Sequence, residues 1–300
     1  MCSTHGLMAR LGLSVTLSVL SICWNPGGNE PFLPSAEAQG ADTSVVRIPY
    51  GSDPLQFGEL RIPSGPGPYP VAVVIHGGCW VNLFGLDLMH DMSTTLTAAG
   101  VATWNIEYRR IDDPGGGFPG TLTDVGLAVD TVRELASTYH LDLGRVITVG
   151  HSAGGHLGFW VAVRHRLPAG DPLRGTDPLP LSAAVALAGI LNLAESLELD
   201  VCLGFAAVLL QGTPEEIPER YAVASPRELL PLGLRQTLIH GTDDAIVPLA
   251  MSEHYRDAAC AAGDHQVSLV QVQGAGHFDV IEPTSPTWPQ VFERIIEQLD

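Results

Sequence analysis

Apolar positions along this chain fall into two alternating kinds of run. Residues 71–75 (VAVVI) form an unbroken, mostly β-branched stretch, the pattern of a strand buried on both faces. Residues 101–108, 181–190, 237–240 and Val267–Val272 read the same way. Residues 45–50 and 57–62 are shorter and predict a hairpin at the sheet edge. Between the strands the period lengthens. Residues 122–139 carry Leu122, Val125, Val129, Val132, Leu135 and Ala136 at helical spacing, with charges opposite. Residues 86–99, closed by Gly100, residues 249–262, closed by Gly263, and residues 288–299 are three more predicted helices. Residues 64–70 and 112–120 read as loops, and residues 191–226 as a partly helical insertion broken by Pro214 and Pro218. No internal repeat is visible. Strands alternating with helices predict an α/β fold: a mostly parallel sheet with helices on both faces and no large cap. In such sheets function gathers at the carboxyl ends of the strands.

Four of those ends carry unusual residues. Residues 146–158 read VITVGHSAGGHLG, a strand that turns at once into a helix through Gly150-His151-Ser152-Ala153-Gly154, of the form G-x-S-x-G. A side chain at either outer glycine would collide with the neighbouring backbone, so the turn is sharp and lifts Ser152 above the sheet at a helix N-terminus. A serine hydroxyl needs a base, and the base needs a group that holds its tautomer. His277 follows the last strand, and Asp244 follows the strand before it. A histidine or aspartate in a glycine-rich loop is by itself an ordinary turn residue. Three such residues in the order Ser152, Asp244, His277, each at a strand end, form the nucleophile–acid–histidine series of an α/β hydrolase. Asp243 is read as a turn residue. The fourth strand end, His76-Gly77-Gly78-Cys79-Trp80, is the candidate oxyanion loop, with donors from Gly77, Gly78 or Cys79 and from the N–H of Ala153. His76 braces that loop. Residues 115–120 match G-x-G-x-x-G, but they lie in a loop, and Pro119 lacks an N–H where a phosphate needs one.

Composition narrows the chemistry. The chain has 300 residues, enough for one large α/β domain, and a net charge of −18, which argues against nucleic acid or an anionic membrane as partner. All 15 basic Lys+Arg positions are arginine, which excludes Schiff-base chemistry and a Walker lysine. No C-x-x-C or clustered His/Cys pattern points to a metal, and no organic cofactor is implied. Arg10 precedes an apolar run over residues 11–22, and Ala36-Glu37-Ala38 has the form of a signal-peptidase site. Residues 1–38 are therefore read as a signal peptide, 39–44 as a linker and 45–300 as the catalytic domain, placing the protein in the periplasm or outside the cell. The run is too short for a spanning helix. Met8 is an alternative start, and the bulky Ile22 argues against lipidation at Cys23. After cleavage Cys79, Cys202 and Cys260 remain, of which at most Cys202 and Cys260 are expected to bridge.

The segments HGGCW, NIEYRRIDDPGGGFPGTLTDV, GHSAGGHLG, HGTDDAIVP and GAGHFDVIEP resemble the kynurenine formamidase and BD-FAE-type esterase branch of the α/β hydrolases. By position, the resemblance implies Ser152, Asp244 and His277 as the triad and residues 76–80 as the oxyanion loop. It implies a serine hydrolase of short acyl, aryl or sugar esters. An arylformamidase acting on N-formylkynurenine is the alternative, and an export signal speaks against that role. A non-catalytic binding protein of this fold would be expected to have lost a triad member, and all three are present. Cys79 fills the variable position of HGGxW and predicts sensitivity to thiol reagents. Trp80, Tyr108 and Phe118 are candidate walls of an acyl or aryl pocket, Trp80 being equally suited to anchor the loop by packing inward.

Overall fold

A computed structural model describes residues 45–300, so the predicted signal peptide and linker lie outside the described residues. Eight strands form one sheet: β1 (Val45–Pro49), β2 (Phe57–Arg61), β3 (Tyr69–Ile75), β4 (Ala102–Ile106), β5 (Leu141–His151), β6 (Ala183–Leu187), β7 (Arg235–Gly241) and β8 (Val267–Val272). Their spatial order is β1-β2-β4-β3-β5-β6-β7-β8. The predicted hairpin is the edge: β1 and β2 are antiparallel, as are β2 and β4, and every later pairing is parallel. The crossovers carry α1 (His90–Ala98), α2 (Gly120–Tyr139), α3 (Ala153–Val163), α4 (Leu193–Glu198), α5 (Phe205–Leu210), α6 (Pro218–Ala224) and α7 (Leu249–Ala261), and α8 (Trp288–Ile296) follows the last strand. Among the described residues no helix is long and apolar enough to cross a membrane.

The continuous apolar runs are explained by burial on both faces. Along β3, Val71, Val73 and Ile75 join one core cluster with Leu122, Val125 and Val129 of α2, and Leu157 of α3. Ala72 and Val74 join a second with Met92 and Leu96 of α1, and Val291 and Ile295 of α8. Two-residue alternation across the sheet thus feeds two helical layers. All eleven residues of α3 are buried, so this helix shows no polar stripe in sequence.

Three boundaries differ from the sequence reading. The predicted helix at 86–99 opens as a 3-10 turn, Leu86–Met89, before α1 begins. Strand β5 starts at Leu141, but its pairing with β3 shifts between Tyr69 and Val71, where Asp142 Oδ1 accepts from the Gly144 N–H and the chain bulges. Within 191–226, Pro218 opens α6 rather than breaking a helix, because the first helical position needs no N–H. That segment is a compact excursion on the α2–α3 side, burying Val201, Ala206, Leu209, Leu210, Tyr221 and Ala224 in the first core cluster.

Candidate active site

Strand register brings the four strand ends together. Ile75 pairs with Gly150, so the loop after β3 lies beside the turn after β5. Gly241 pairs with Val272, so the loops holding Asp244 and His277 are also neighbours. The turn at Ser152 needs its glycines: a Cβ on Gly150 would stand 2.1 Å from Gly154 O, and one on Gly154 would stand 2.1 Å from Ile75 O. Ser152 itself has φ 54° and ψ −118° and is the N-cap of α3. A non-glycine residue there is strained, as expected for a side chain aimed by its backbone. Ser152 is 1% exposed and His277 6%.

His277 Nδ1 lies 2.7 Å from Asp244 Oδ2. The other oxygen of Asp244 accepts from the N–H groups of Ile246 and Val247, both at 2.8 Å. The D-x-x-V-P loop is therefore a backbone clamp on one carboxylate. Asp243 is exposed; its carboxylate accepts from the neighbouring Thr242 hydroxyl at 3.1 Å and its N–H donates to Ala275 O at 3.0 Å. Burial alone would raise the Asp244 carboxyl, but hydrogen bonds from His240 and His277 and from the Val247 N–H outweigh it and hold the group well below the usual carboxylate range. His240 was not singled out in the sequence. It is the penultimate residue of β7, fully buried, with Nε2 at 2.9 Å from Val247 O and 3.3 Å from Asp244 Oδ2, and Nδ1 at 2.7 Å from Ser252 Oγ. Its only sequence signal is a histidine ending an apolar strand directly before the aspartate loop.

His151 ties the serine turn to His277. Its Nε2 faces the His277 carbonyl at 3.0 Å and the two rings lie 4.6 Å apart, centroid to centroid. A carbonyl only accepts, so Nε2 carries the hydrogen, and Nδ1, buried, has no partner among the described residues.

On the other side of Ser152, a Cβ on Gly77 would stand 2.8 Å from His151 O and 3.0 Å from Ser152 Cβ, so backbone approaches the serine here. Gly78, Cys79 and Trp80 follow with φ of 104°, 52° and 59°, and the Val81 N–H donates to Gly78 O at 3.0 Å. This is a tight turn with two left-handed, non-glycine central residues, each costing about 1–2 kcal/mol. The N–H groups of Gly77, Gly78 and Cys79 donate to no described residue. The Ala153 N–H stands in the first turn of α3, where helix geometry leaves donors open.

The loop is braced from below. Both ring nitrogens of His76 face acceptors, Glu107 Oε1 at 2.9 Å and Gly77 O at 2.8 Å, and its ring stacks on Tyr108 at 4.3 Å. Burial alone would raise Glu107, but His76 and the Arg110 guanidinium hold it below the usual range. The Tyr108 hydroxyl donates to His76 O at 2.9 Å, and the Trp80 Nε1–H donates to His156 Nδ1 at 3.2 Å. Trp80 and Tyr108 are thus buried struts under the loop: Trp80 takes the inward-packing of its two readings, and for Tyr108 this corrects its reading as a pocket wall. Phe118, also expected at a pocket, binds the 191–226 segment instead. Its N–H donates to Leu209 O at 2.8 Å, its carbonyl accepts from Gln211 Nε2 at 2.9 Å, and its ring faces the Arg220 guanidinium. The aromatic surface at the site comes from residues the sequence did not flag. Phe84, 41% exposed, packs against Gly78, and Phe278, 45% exposed, flanks the rings of His151 and His277.

The cysteine expectation is overturned. Cys202 is bonded to Cys79, not to Cys260, with Cα atoms 5.5 Å apart and a separation of 123 positions in sequence. The 191–226 excursion folds back over the loop after β3, a proximity that spacing alone does not reveal. Cys79 is therefore not a free thiol in the loop after β3.

Residues 60–258 match the BD-FAE family model. Esterase LipC of Mycobacterium tuberculosis is 28% identical over 256 residues, covering 80% of this chain and 62% of the relative. A probable isoprenylcysteine alpha-carbonyl methylesterase, ICME, of Oryza sativa is 26% identical over 246 residues, covering 77% of this chain and 57% of the relative. The chain thus spans less than two thirds of the length of either. The thermophilic esterase Est2 of Thermogutta terrifontis, solved with propionate bound, superimposes with a TM-score of 0.68 at 21% identity, over 84% of this chain and 92% of that one, a likeness of fold. The fold is that of the α/β hydrolases, and the chain belongs to the BD-FAE family.

Proposed function

We propose that this protein is a serine hydrolase of carboxylic esters. Ser152 Oγ attacks the acyl carbon, and its proton passes to His277 Nε2. Asp244 holds the opposite nitrogen and stabilises the imidazolium. The negative charge on the former carbonyl oxygen falls to the N–H groups of the Gly77–Cys79 loop and of Ala153. The alcohol leaves with the proton from His277, and water then cleaves the acyl-enzyme by the same steps in reverse. No metal or organic cofactor is needed for this cycle. The observation that carries the reading is the 2.7 Å pair of His277 with a doubly clamped, buried Asp244, tied through His151 to a strained serine turn. Relatives described as esterases, and an esterase structure holding propionate, support ester hydrolysis with small acyl groups.

The substrates we propose are short acyl esters of aryl or sugar alcohols, with Phe84 and Phe278 as the apolar surface beside the serine. A panel of p-nitrophenyl acetate, acetylated xylan, feruloyl esters and N-formylkynurenine tests this. Turnover of the esters with none of the formamide is expected, and selective turnover of N-formylkynurenine would replace the esterase reading by the arylformamidase one. Export through residues 1–38 is part of the same proposal, supported by a disulfide of the kind that persists in oxidising compartments. N-terminal sequencing of protein from the native cell envelope or medium should find Gln39, whereas an intact Met1 or Met8 in cytosol would overturn it.

A further inference from the structure

The disulfide joins two unusual pieces of backbone. Cys79 is the first central residue of the left-handed turn after Gly78, between the proposed oxyanion donors and Trp80. Cys202 lies in a second left-handed stretch, where Asp200, Cys202, Leu203 and Gly204 have φ of 53°, 56°, 50° and 74°. Turns with two left-handed central residues are normally built from glycine, asparagine or aspartate. Cysteine and tryptophan have no such preference, so something outside the turn must hold it. Trp80 is held by burial, by His156 and by the Ile111 N–H on its carbonyl at 2.8 Å. His76 is held by Glu107 and Tyr108. Among the described residues, the sulfur bridge to Cys202 is the tie on Cys79 itself. At its other end, Val201 is buried in the main core cluster, so the anchor is firm.

We propose that the Cys79–Cys202 bond is a positioning element of the oxyanion site, holding the Gly78–Cys79–Trp80 turn in its left-handed form and making kcat depend on a bond to the 191–226 segment. The proposal rests on the reading of Gly77–Cys79 as the oxyanion loop. An oxyanion donor acts only where it meets charge that develops during the reaction, so displacing it costs turnover while leaving ground-state binding largely alone. A bridge that merely stabilised the fold would shift the melting temperature and leave kcat below that temperature untouched.

The test uses the full exported chain and two crosslink-free variants, Cys79→Ala/Cys202→Ala and Cys79→Gly/Cys202→Ala. Each is assayed on p-nitrophenyl acetate well below its melting temperature, and against an aryl trifluoromethyl ketone. Ser152 Oγ adds to the carbonyl carbon of that ketone, the serine hydroxyl proton passes to His277, and the carbonyl oxygen becomes an alkoxide in the oxyanion site. For the alanine variant, kcat should fall about 10- to 100-fold with KM within about threefold, and the ketone should bind weaker by the same factor as kcat. The glycine variant should recover much of the loss, because glycine takes φ near 52° without a tether. Wild-type kcat in the alanine variant, or a glycine variant no better than the alanine one, would overturn the proposal. Should the variants fail to fold, folded wild-type protein reduced by a phosphine gives the same comparison. The phosphine supplies two electrons and water two protons, the bond becomes two thiols, and the phosphine leaves as its oxide. Unchanged kcat after verified cleavage of this bond would again overturn the proposal. Wild-type protein inactive on every ester defeats the esterase reading; an active wild type with tether-independent kcat defeats the tether alone.

Discussion

His151 holds His277 by both ring and backbone, with its Nε2 3.0 Å from the His277 carbonyl and the ring centroids 4.6 Å apart. Burial first, and then the neighbouring His277, pushes the His151 imidazole down to about 3. Burial likewise pushes His156, under Trp80, down to about 4. In the unfolded chain both titrate near about 6.5. As pH falls below that value the unfolded state takes up protons that the folded state refuses, so stability is lost on acidification. The slope reaches about 1.4 kcal/mol per pH unit for each histidine. Urea unfolding at stepped pH should show this slope between pH 6.5 and 4, and His151→Gln or His156→Gln should each flatten it. An unchanged slope in both variants would show that these imidazoles are not what the acid titrates.

Asp244 acts in the same direction, but over a lower pH range. Its folded-state value is depressed, so its contribution is complete above the unfolded value of about 3.9 and fades as pH falls towards the folded one. For Asp244→Asn, kcat should drop by about 10³- to 10⁴-fold because the imidazole loses its orienting charge. The gap in melting temperature between wild type and variant should be widest near neutrality and narrow below pH 4. A gap that widened on acidification would contradict the clamped, ionised carboxylate.

Much of the fold was legible because its strands are buried on both faces and so appear as unbroken β-branched runs. Residues 71–75 are the clearest case, and the glycines flanking Ser152 were legible because two backbone contacts of 2.1 Å forbid anything larger. The order of Ser152, Asp244 and His277 could be read because each follows its own strand. What failed depended on how distant segments meet. Three cysteines leave their pairing open, and the choice of Cys79 for Cys202 follows from where the 191–226 excursion lands. An aromatic residue just past a strand end can face the core or the cleft with the same local sequence. Trp80 and Tyr108 face the core, while Phe84 is exposed against Gly78 and Phe278 is exposed against the rings of His151 and His277. His240 was hidden as one of 11 histidines until the fold set it against Asp244.

Gly77→Ala is a sharp probe of the proposed oxyanion loop. The new methyl would meet His151 O at 2.8 Å and Ser152 Cβ at 3.0 Å, so the loop must retreat from the serine. The expected result is a loss in kcat of about 10²- to 10³-fold with little change in KM, the signature of a displaced donor. Near wild-type turnover would place the oxyanion elsewhere.

Chain length probes the surface beside Ser152. With no large cap, and with Phe84 and Phe278 as the exposed aromatic side chains, kcat/KM for p-nitrophenyl esters should peak between acetate and butyrate and fall steeply by octanoate. Each methylene is worth about 1–3 kcal/mol in an apolar pocket, so the profile should be well defined. A profile still rising at octanoate would mean a lipase-like groove along residues 191–226.

The most direct measurement is covalent capture of the nucleophile. Paraoxon should transfer one diethylphosphoryl group per chain, forming an Oγ–P bond and releasing 4-nitrophenolate, with ester hydrolysis lost in step. Peptide mass spectrometry should place that group on Ser152, and Ser152→Ala should be both unlabelled and inactive while melting like wild type. Labelling at another residue, or a Ser152→Ala protein that keeps more than a small fraction of kcat, would contradict the account.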